Sequence, residues 1–357
     1  MSRVRVFLSL FLIVLLVSGC TRDVVEEGEP DRLGSSWSVI NQSLERGDDW
    51  RHIVRNSAFQ LGEMQVGENR ADYLGYGTYP HLDGSTVAVP MALEFARQHL
   101  GLSDQGIQGL ASFSTTHKAY ELLITKESSG YVEGIRSEEG DYIYLDEEQP
   151  VDLIIVTEPS AEELELAKQN NVTLVQKPVC YDAFVFITHK DNPVTSLTLE
   201  QVRDIYSGKV TNWREVGGDD TPITAYQREA NSGSQTAMIN MVMKDTPMLP
   251  PGKVKVLYDM GGMIESVAEY QNNSASIGYT YRYYIDNLYK NEDIKMININ
   301  DIPPDDSNIR SGLYPLTTNY YAVTIAGDDN SIGNKFLTWM LSPEGQQCIR
   351  QAGYIEM

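Results

Sequence analysis

From about residue 150 onward, short apolar runs alternate with amphipathic segments that open on helix caps, and this alternation constrains the fold more than any other feature. The runs are Leu153 to Val156, Ala183 to Ile187, Ile277 to Tyr279 and Tyr320 to Val323. They are too short for helices and apolar on both faces, as buried strands are. Helix starts fall between them. Ser160 and Glu163 have capping-box spacing ahead of Leu164, Leu166 and Ala167, as do Thr198 and Gln201 ahead of Val202 and Ile205, and Ser342-Pro343-Glu344 opens a last helix. Gly208 and Gly353 fall where C-cap glycines belong. Strand and helix in alternation predict an α/β molecule. No internal repeat or low-complexity tract interrupts the pattern.

Three loops share one design, in which a small polar cluster precedes a helix. Asp83-Gly84-Ser85-Thr86 leads into a helical pattern through Val89, Leu93, Phe95, Ala96 and Leu100, with Pro90 tolerated in its first turn. Phe113-Ser114-Thr115-Thr116 leads to Ala119, Tyr120, Leu122 and Leu123, and Ser232-Gly233-Ser234 to Ala237, Met238, Met241 and Val242. A helix N-terminus leaves backbone N–H groups unpartnered and carries about half a positive charge, so it attracts oxyanions. Hydroxyls add donors, and Gly233 permits close approach of a ligand. Arg228, four residues before Ser232, can give a bidentate, charge-assisted pair to a tetrahedral oxyanion. For each loop taken alone a plain N-cap is the commoner explanation. The third loop exceeds that need, because Ser232, Ser234 and Thr236 all stand beside Arg228. It is no phosphate-binding P-loop and no nucleophile elbow, and no histidine lies beside it, so serine catalysis is disfavoured.

The N-terminus predicts the compartment. Arg3 and Arg5 precede an apolar stretch from Val6 to Val17, and Val17-Ser18-Gly19-Cys20 resembles a bacterial lipobox. Residues 1–19 are then a lipoprotein signal peptide and Cys20 the lipidated first residue of the mature chain. Residues 20–70 read as a tether and N-terminal extension, beginning with Asp23, Glu26, Glu27, Glu29 and Asp31 in a stretch nearly free of apolar residues. Loss of Arg3 and Arg5 takes the net charge from −22 to −24, which excludes nucleic acid and anionic lipid surfaces as partners. Any anionic ligand must therefore be drawn by a local site. Cys180 and Cys348 are left either as a disulfide or as two buried thiols. The five histidines show no ligand spacing, so neither a metal nor another cofactor is expected.

Over about residues 72 to 357 the chain resembles the substrate-binding lipoproteins of phosphate ABC transporters. The resemblance rests on Asp83-Gly84-Ser85-Thr86, on "AFVFITHKDNPVTSLTLEQVRDIYSGKVTNWREVGG" (183–218), "YQREANSGSQTAM" (226–238), "IGY" (277–279), "YPLTTNYYAV" (314–323) and "LSPEGQ" (341–346), in that order. It implies a type II periplasmic-binding-protein fold, two α/β lobes joined by two crossover strands. Residues 71–181 and 316–357 would form lobe 1 and residues 182–315 lobe 2. It also implies a ligand set: Arg228, Ser232, Gly233 and Ser234 from lobe 2, with Ser85 and Thr86 from lobe 1. From the second loop come Thr115 and Thr116, the register against Ser114 remaining open. In the family a carboxylate after a lobe 1 strand accepts a hydrogen bond from protonated phosphate, and Glu158, after Thr157, falls at that position; a helix-end charge beside Ser160 is the alternative. The resemblance implies a non-catalytic, extracytoplasmic, membrane-anchored monomer that passes inorganic phosphate to an ABC permease and its ATPase. Another tetrahedral oxyanion such as sulfate or molybdate, a phosphate-sensing role, and phosphoester hydrolysis by Ser232 or Ser234 are the competing readings.

Overall fold

One long strand organises the molecule. The computed structural model describes residues 80–100, 113–128, 134–136, 142–144, 150–250, 256–257, 260–269, 275–327 and 331–357, all within one unit, Leu33–Met357. Cys20, the signal peptide and the tether lie outside the described residues. In chain order the strands are β1 (Leu82–Gly84), β2 (Gly134–Arg136), β3 (Tyr142–Tyr144), β4 (Leu153–Val156), β5 (Leu174–His189), β6 (Ser196–Leu197), β7 (Thr224–Ala225), β8 (Gln227–Arg228), β9 (Val256–Leu257), β10 (Ser276–Tyr281), β11 (Ile294–Ile299), β12 (Thr317–Ile325) and β13 (Ile355–Glu356). The helices are α1 (Val89–Leu100), α2 (Thr116–Thr125), α3 (Ala161–Gln169), α4 (Leu199–Ser207), α5 (Gly233–Ala237, continued by a π turn, Met238–Met243), α6 (Met260–Ala268), α7 (Asp306–Arg310), α8 (Ile332–Met340) and α9 (Pro343–Gln351).

The main sheet runs β1-β4-β12-β5-β10-β7, with β11 and β13 also on β5 and β6 on β11. The first part of β5, from Leu174 to Ala183, pairs antiparallel with β12. From Phe184 to Thr188 it pairs with β10, and from Phe186 to His189 with β11 as well. Partners thus change between Ala183 and Phe184, inside one continuous strand. The β5–β12 register also shifts, with Tyr321 opposite Pro178 and Tyr320 opposite Cys180. Proline has no N–H for the ladder, so a bulge is the expected accommodation at this point.

The strand ends place the loops. β1 and β4 are parallel neighbours, Gly84 opposite Ile155, so the chain leaves both on the same side of the sheet. A Cβ on Gly84 would come within 2.2 Å of the Ile155 carbonyl oxygen, which restricts this position to glycine. The caps form as their spacing predicts: Ser160 with Glu163 and Thr198 with Gln201 are complete capping boxes, and Gly208 ends α4 at φ 81°. Ser342 caps α9 with Pro343 in its first turn. The core beside β5 is aromatic. Phe184, Phe186, Tyr206, Tyr279 and Tyr281 pack with centroids 5.4 to 6.2 Å apart. A second apolar cluster holds α2 and α3 against β4.

Candidate functional site

The three polar loops converge on one cleft of about 210 Å³. Ser85, Thr86, Thr115 and Thr116 line one side, and Arg228, Ser232, Gly233 and Ser234 the other. Segments up to 149 residues apart in sequence, from Ser85 to Ser234, thereby share one space. Most of their polar groups are desolvated: Ser85, Thr116, Arg228 and Ser234 are all buried. In such surroundings a donor to a charged group is worth about 1.5 to 3 kcal/mol.

Helix capping consumes few of these hydroxyls. Ser85 and Thr115 occupy N-cap positions, yet neither side chain makes a capping hydrogen bond. Only Ser232 does, accepting from the Gln235 N–H at 3.3 Å. Thr115 adopts φ 146° and ψ 167°, a conformation that costs a non-glycine residue on the order of 1 to 3 kcal/mol and is held by its surroundings. Asp83 supplies the hold: its carboxylate accepts from Gly84 N–H at 2.6 Å, Ser114 N–H at 2.7 Å and Ser114 Oγ at 2.7 Å. Burial raises the Asp83 carboxyl to about 6, against the lowering effect of the Ser114 and Gly84 hydrogen bonds and the Lys118 charge. Ser114 is thereby committed to Asp83, while Thr115 and Thr116 face the cleft. His117 Nδ1 lies 2.9 Å from Glu163 Oε1, which ties the start of α2 to the start of α3.

On the opposite side Arg228 is held by its neighbours. Its Nε donates to the Leu257 carbonyl at 3.0 Å and Nη1 to Ser234 Oγ at 3.1 Å. Its backbone N–H is shared between Tyr279 Oη at 2.9 Å and Gln235 Oε1 at 3.1 Å, and the Tyr279 hydroxyl itself donates to Gln235 Oε1. Tyr281 Oη donates to the Gly233 carbonyl at 3.0 Å. Among the described residues the two sides also meet directly. A Cβ on Gly233 would lie 2.6 Å from Thr157 Oγ1 and 2.9 Å from Thr116 Oγ1, and Asn231 Nδ2 donates to Glu162 Oε2.

Glu158 departs from expectation. It is exposed, it accepts from Tyr321 Oη at 3.1 Å, and it is not among the residues lining the cleft. β4 ends at Val156 and is buried along its whole length; in the bend that follows, Thr157 stays inside, 3% exposed, and Glu158 is the first side chain to reach solvent. His117, Glu229, Ala230, Met260, Tyr281 and Tyr284 line the cleft without having been anticipated. Tyr281 carries a readable signal, because it lies two residues beyond Tyr279 on one face of an apolar strand. Met260 and Tyr284 carry none, since only tertiary folding brings them near. Cys180 and Cys348 are two buried free thiols, not a disulfide. Burial pushes the Cys348 thiol up to about 12. Among the described residues no group of three or more His, Cys, Asp or Glu assembles as a metal would require.

A polar, desolvated cleft flanked by two parts of a sheet that share one strand defines a ligand-binding protein of two-part α/β design. The chain belongs to the PBP superfamily, whose domain matches residues 97–344, and its fold is the type II periplasmic-binding-protein fold. A phosphate ABC transporter substrate-binding protein from Clostridium perfringens, solved with bound phosphate, superposes with a TM-score of 0.55 at 23% identity, covering 77% of this chain and 98% of that one. A phosphate transport receptor from Vibrio cholerae gives 0.54 at 20% identity, covering 77% and 99%. Among curated relatives, the phosphate-binding protein PstS of Borreliella burgdorferi is 26% identical over 179 residues, 49% of this chain and 63% of the relative. That of Staphylococcus epidermidis RP62A is 29% identical over 185 residues, 50% of this chain and 54% of the relative. The chain thus spans between half and two thirds of the length of these curated relatives.

Proposed function

We propose that this chain is an extracytoplasmic solute-binding receptor, not an enzyme, that captures inorganic phosphate in the cleft and delivers it to an ABC permease with its ATPase. One observation carries the reading: a buried arginine and six Ser and Thr residues from three loops line a single space. Ser85, Thr86, Thr115 and Thr116 would bind from lobe 1 (71–181 and 316–357), and Arg228, Ser232, Gly233 and Ser234 from lobe 2 (182–315). Closing on the ligand favours the state in which both lobes touch it. The relatives named phosphate-binding protein support the choice of phosphate. Lipid anchoring through Cys20 and action as a monomer belong to the same proposal. Sulfate or a similar oxyanion is the second reading, favoured by the position of Glu158 away from the cleft wall.

Calorimetric titration of the full chain, solubilised in detergent and refolded to strip bound anion, tests it. Phosphate is expected to bind with micromolar or tighter affinity, about −8 kcal/mol or better. Arg228→Ala is expected to abolish that binding. Unchanged affinity in Arg228→Ala would remove the site assignment, and no binding of any tetrahedral oxyanion would remove the function.

A further inference from the structure

At the end of β4 the Thr157 hydroxyl is buried without a hydrogen-bond partner. Its surroundings are cleft residues. Oγ1 lies against Gly233, as Thr116 Oγ1 does; the Tyr281 hydroxyl is near enough to interact with it electrostatically but not in hydrogen-bond geometry, and it donates its own proton to the Gly233 carbonyl. All three neighbours line the cleft. The Thr157 backbone is fixed as well, because Tyr120 Oη donates to its carbonyl at 2.9 Å. A buried hydroxyl with no partner destabilises a fold, and a valine would fill the same volume without that cost. The group makes sense when something else supplies the missing partner.

We propose that the Thr157 hydroxyl is a direct ligand of the anion, and that it, in place of Glu158, is the group β4 offers to the cleft. This rests on the oxyanion reading above. The first turn of α5 covers Oγ1 through Gly233, so a retreat of that turn by the width of one oxygen atom opens the hydroxyl to a bound anion. A hydroxyl both donates and accepts, whereas a carboxylate only accepts. Thr157 therefore serves protonated phosphate and unprotonated sulfate alike, and discrimination between them does not depend on Glu158.

The test is calorimetric titration of the full-length protein with inorganic phosphate and with sulfate at pH 7, together with melting temperatures in anion-free buffer. Thr157→Val is expected to lose phosphate affinity by about tenfold or more, the effect of one donor to a charged group, while melting at the same or a higher temperature. A residue that merely supports the fold would lower both. Thr157→Ser, which keeps the hydroxyl, is expected to stay within about threefold of wild type, and Glu158→Gln to leave both anions within about twofold, since neither change removes a donor from the cleft. Wild-type affinity in Thr157→Val, a lowered melting temperature accompanying its loss of affinity, or a Glu158→Gln variant that loses phosphate or gains sulfate overturns the assignment. A wild-type protein that binds neither anion overturns the oxyanion reading itself, a different result from a wild type that binds and a Thr157→Val variant that binds equally well.

Discussion

At the scale of single residues, the cleft depends on atoms that cannot be enlarged. Gly233 is in contact with Thr157 and Thr116 across the cleft, and any Cβ there meets the Thr157 oxygen at 2.6 Å. Gly233→Ala must therefore displace α5 or turn the threonine away from its position. The expected result is a loss of about tenfold or more in phosphate affinity, about 1.4 kcal/mol, with a melting temperature within a few degrees of wild type, read by titration and thermal unfolding of the same sample. Arg228 shows how a flexible side chain is made rigid: Leu257 and Ser234 accept from its guanidinium, while Tyr279 and Gln235 hold its backbone. Preorganised in this way, it loses little entropy when it meets an anion.

At the scale of elements, β5 joins the sheet segments and carries a titratable group where its partners change. Asp182 is buried, and its Oδ1 accepts from Ala183 N–H at 2.7 Å and Tyr283 N–H at 3.2 Å. Burial raises its carboxyl to about 7, opposed by those two hydrogen bonds and the Arg282 charge and assisted by Asp286. In an unfolded chain the same group titrates near 3.9. Below about pH 4 both states hold the proton and the stabilisation is complete. As pH rises through about 7 the folded state must carry a buried charge, and stability falls by on the order of a few kcal/mol. Asp182→Asn imitates the protonated form. It is expected to flatten this slope and to exceed wild-type stability above pH 7, measured by urea unfolding at pH 5, 6, 7 and 8. Asp83, raised to about 6, adds a second slope that the variant retains.

For the whole molecule, ligand and fold are linked. A receptor whose folded form alone binds phosphate gains about 2.7 kcal/mol at a phosphate concentration one hundred times Kd. The melting temperature should therefore climb with phosphate in wild type and stay level in Arg228→Ala, as thermal scans over a phosphate series would reveal. The predicted anchor has its own test: Cys20→Ser should move the protein from the membrane fraction to the soluble fraction of expressing cells, and an unaltered distribution would remove the lipobox reading.

The α/β layering, the caps at Ser160, Thr198 and Ser342, and the three hydroxyl loops were legible from the order of residues, because they depend on periodicity and on interactions within a few residues. The same order also singled out Arg228, since an arginine four residues from a serine-rich helix start is a local pattern. Packing of distant segments settles the rest: Glu158 turns outward while Thr157 turns in, Cys180 and Cys348 stay free thiols, and Met260 and Tyr284 complete the cleft wall. Those outcomes depend on how the bend after β4 is packed and on segments far apart in the chain being brought together, and no local run of residues encodes either.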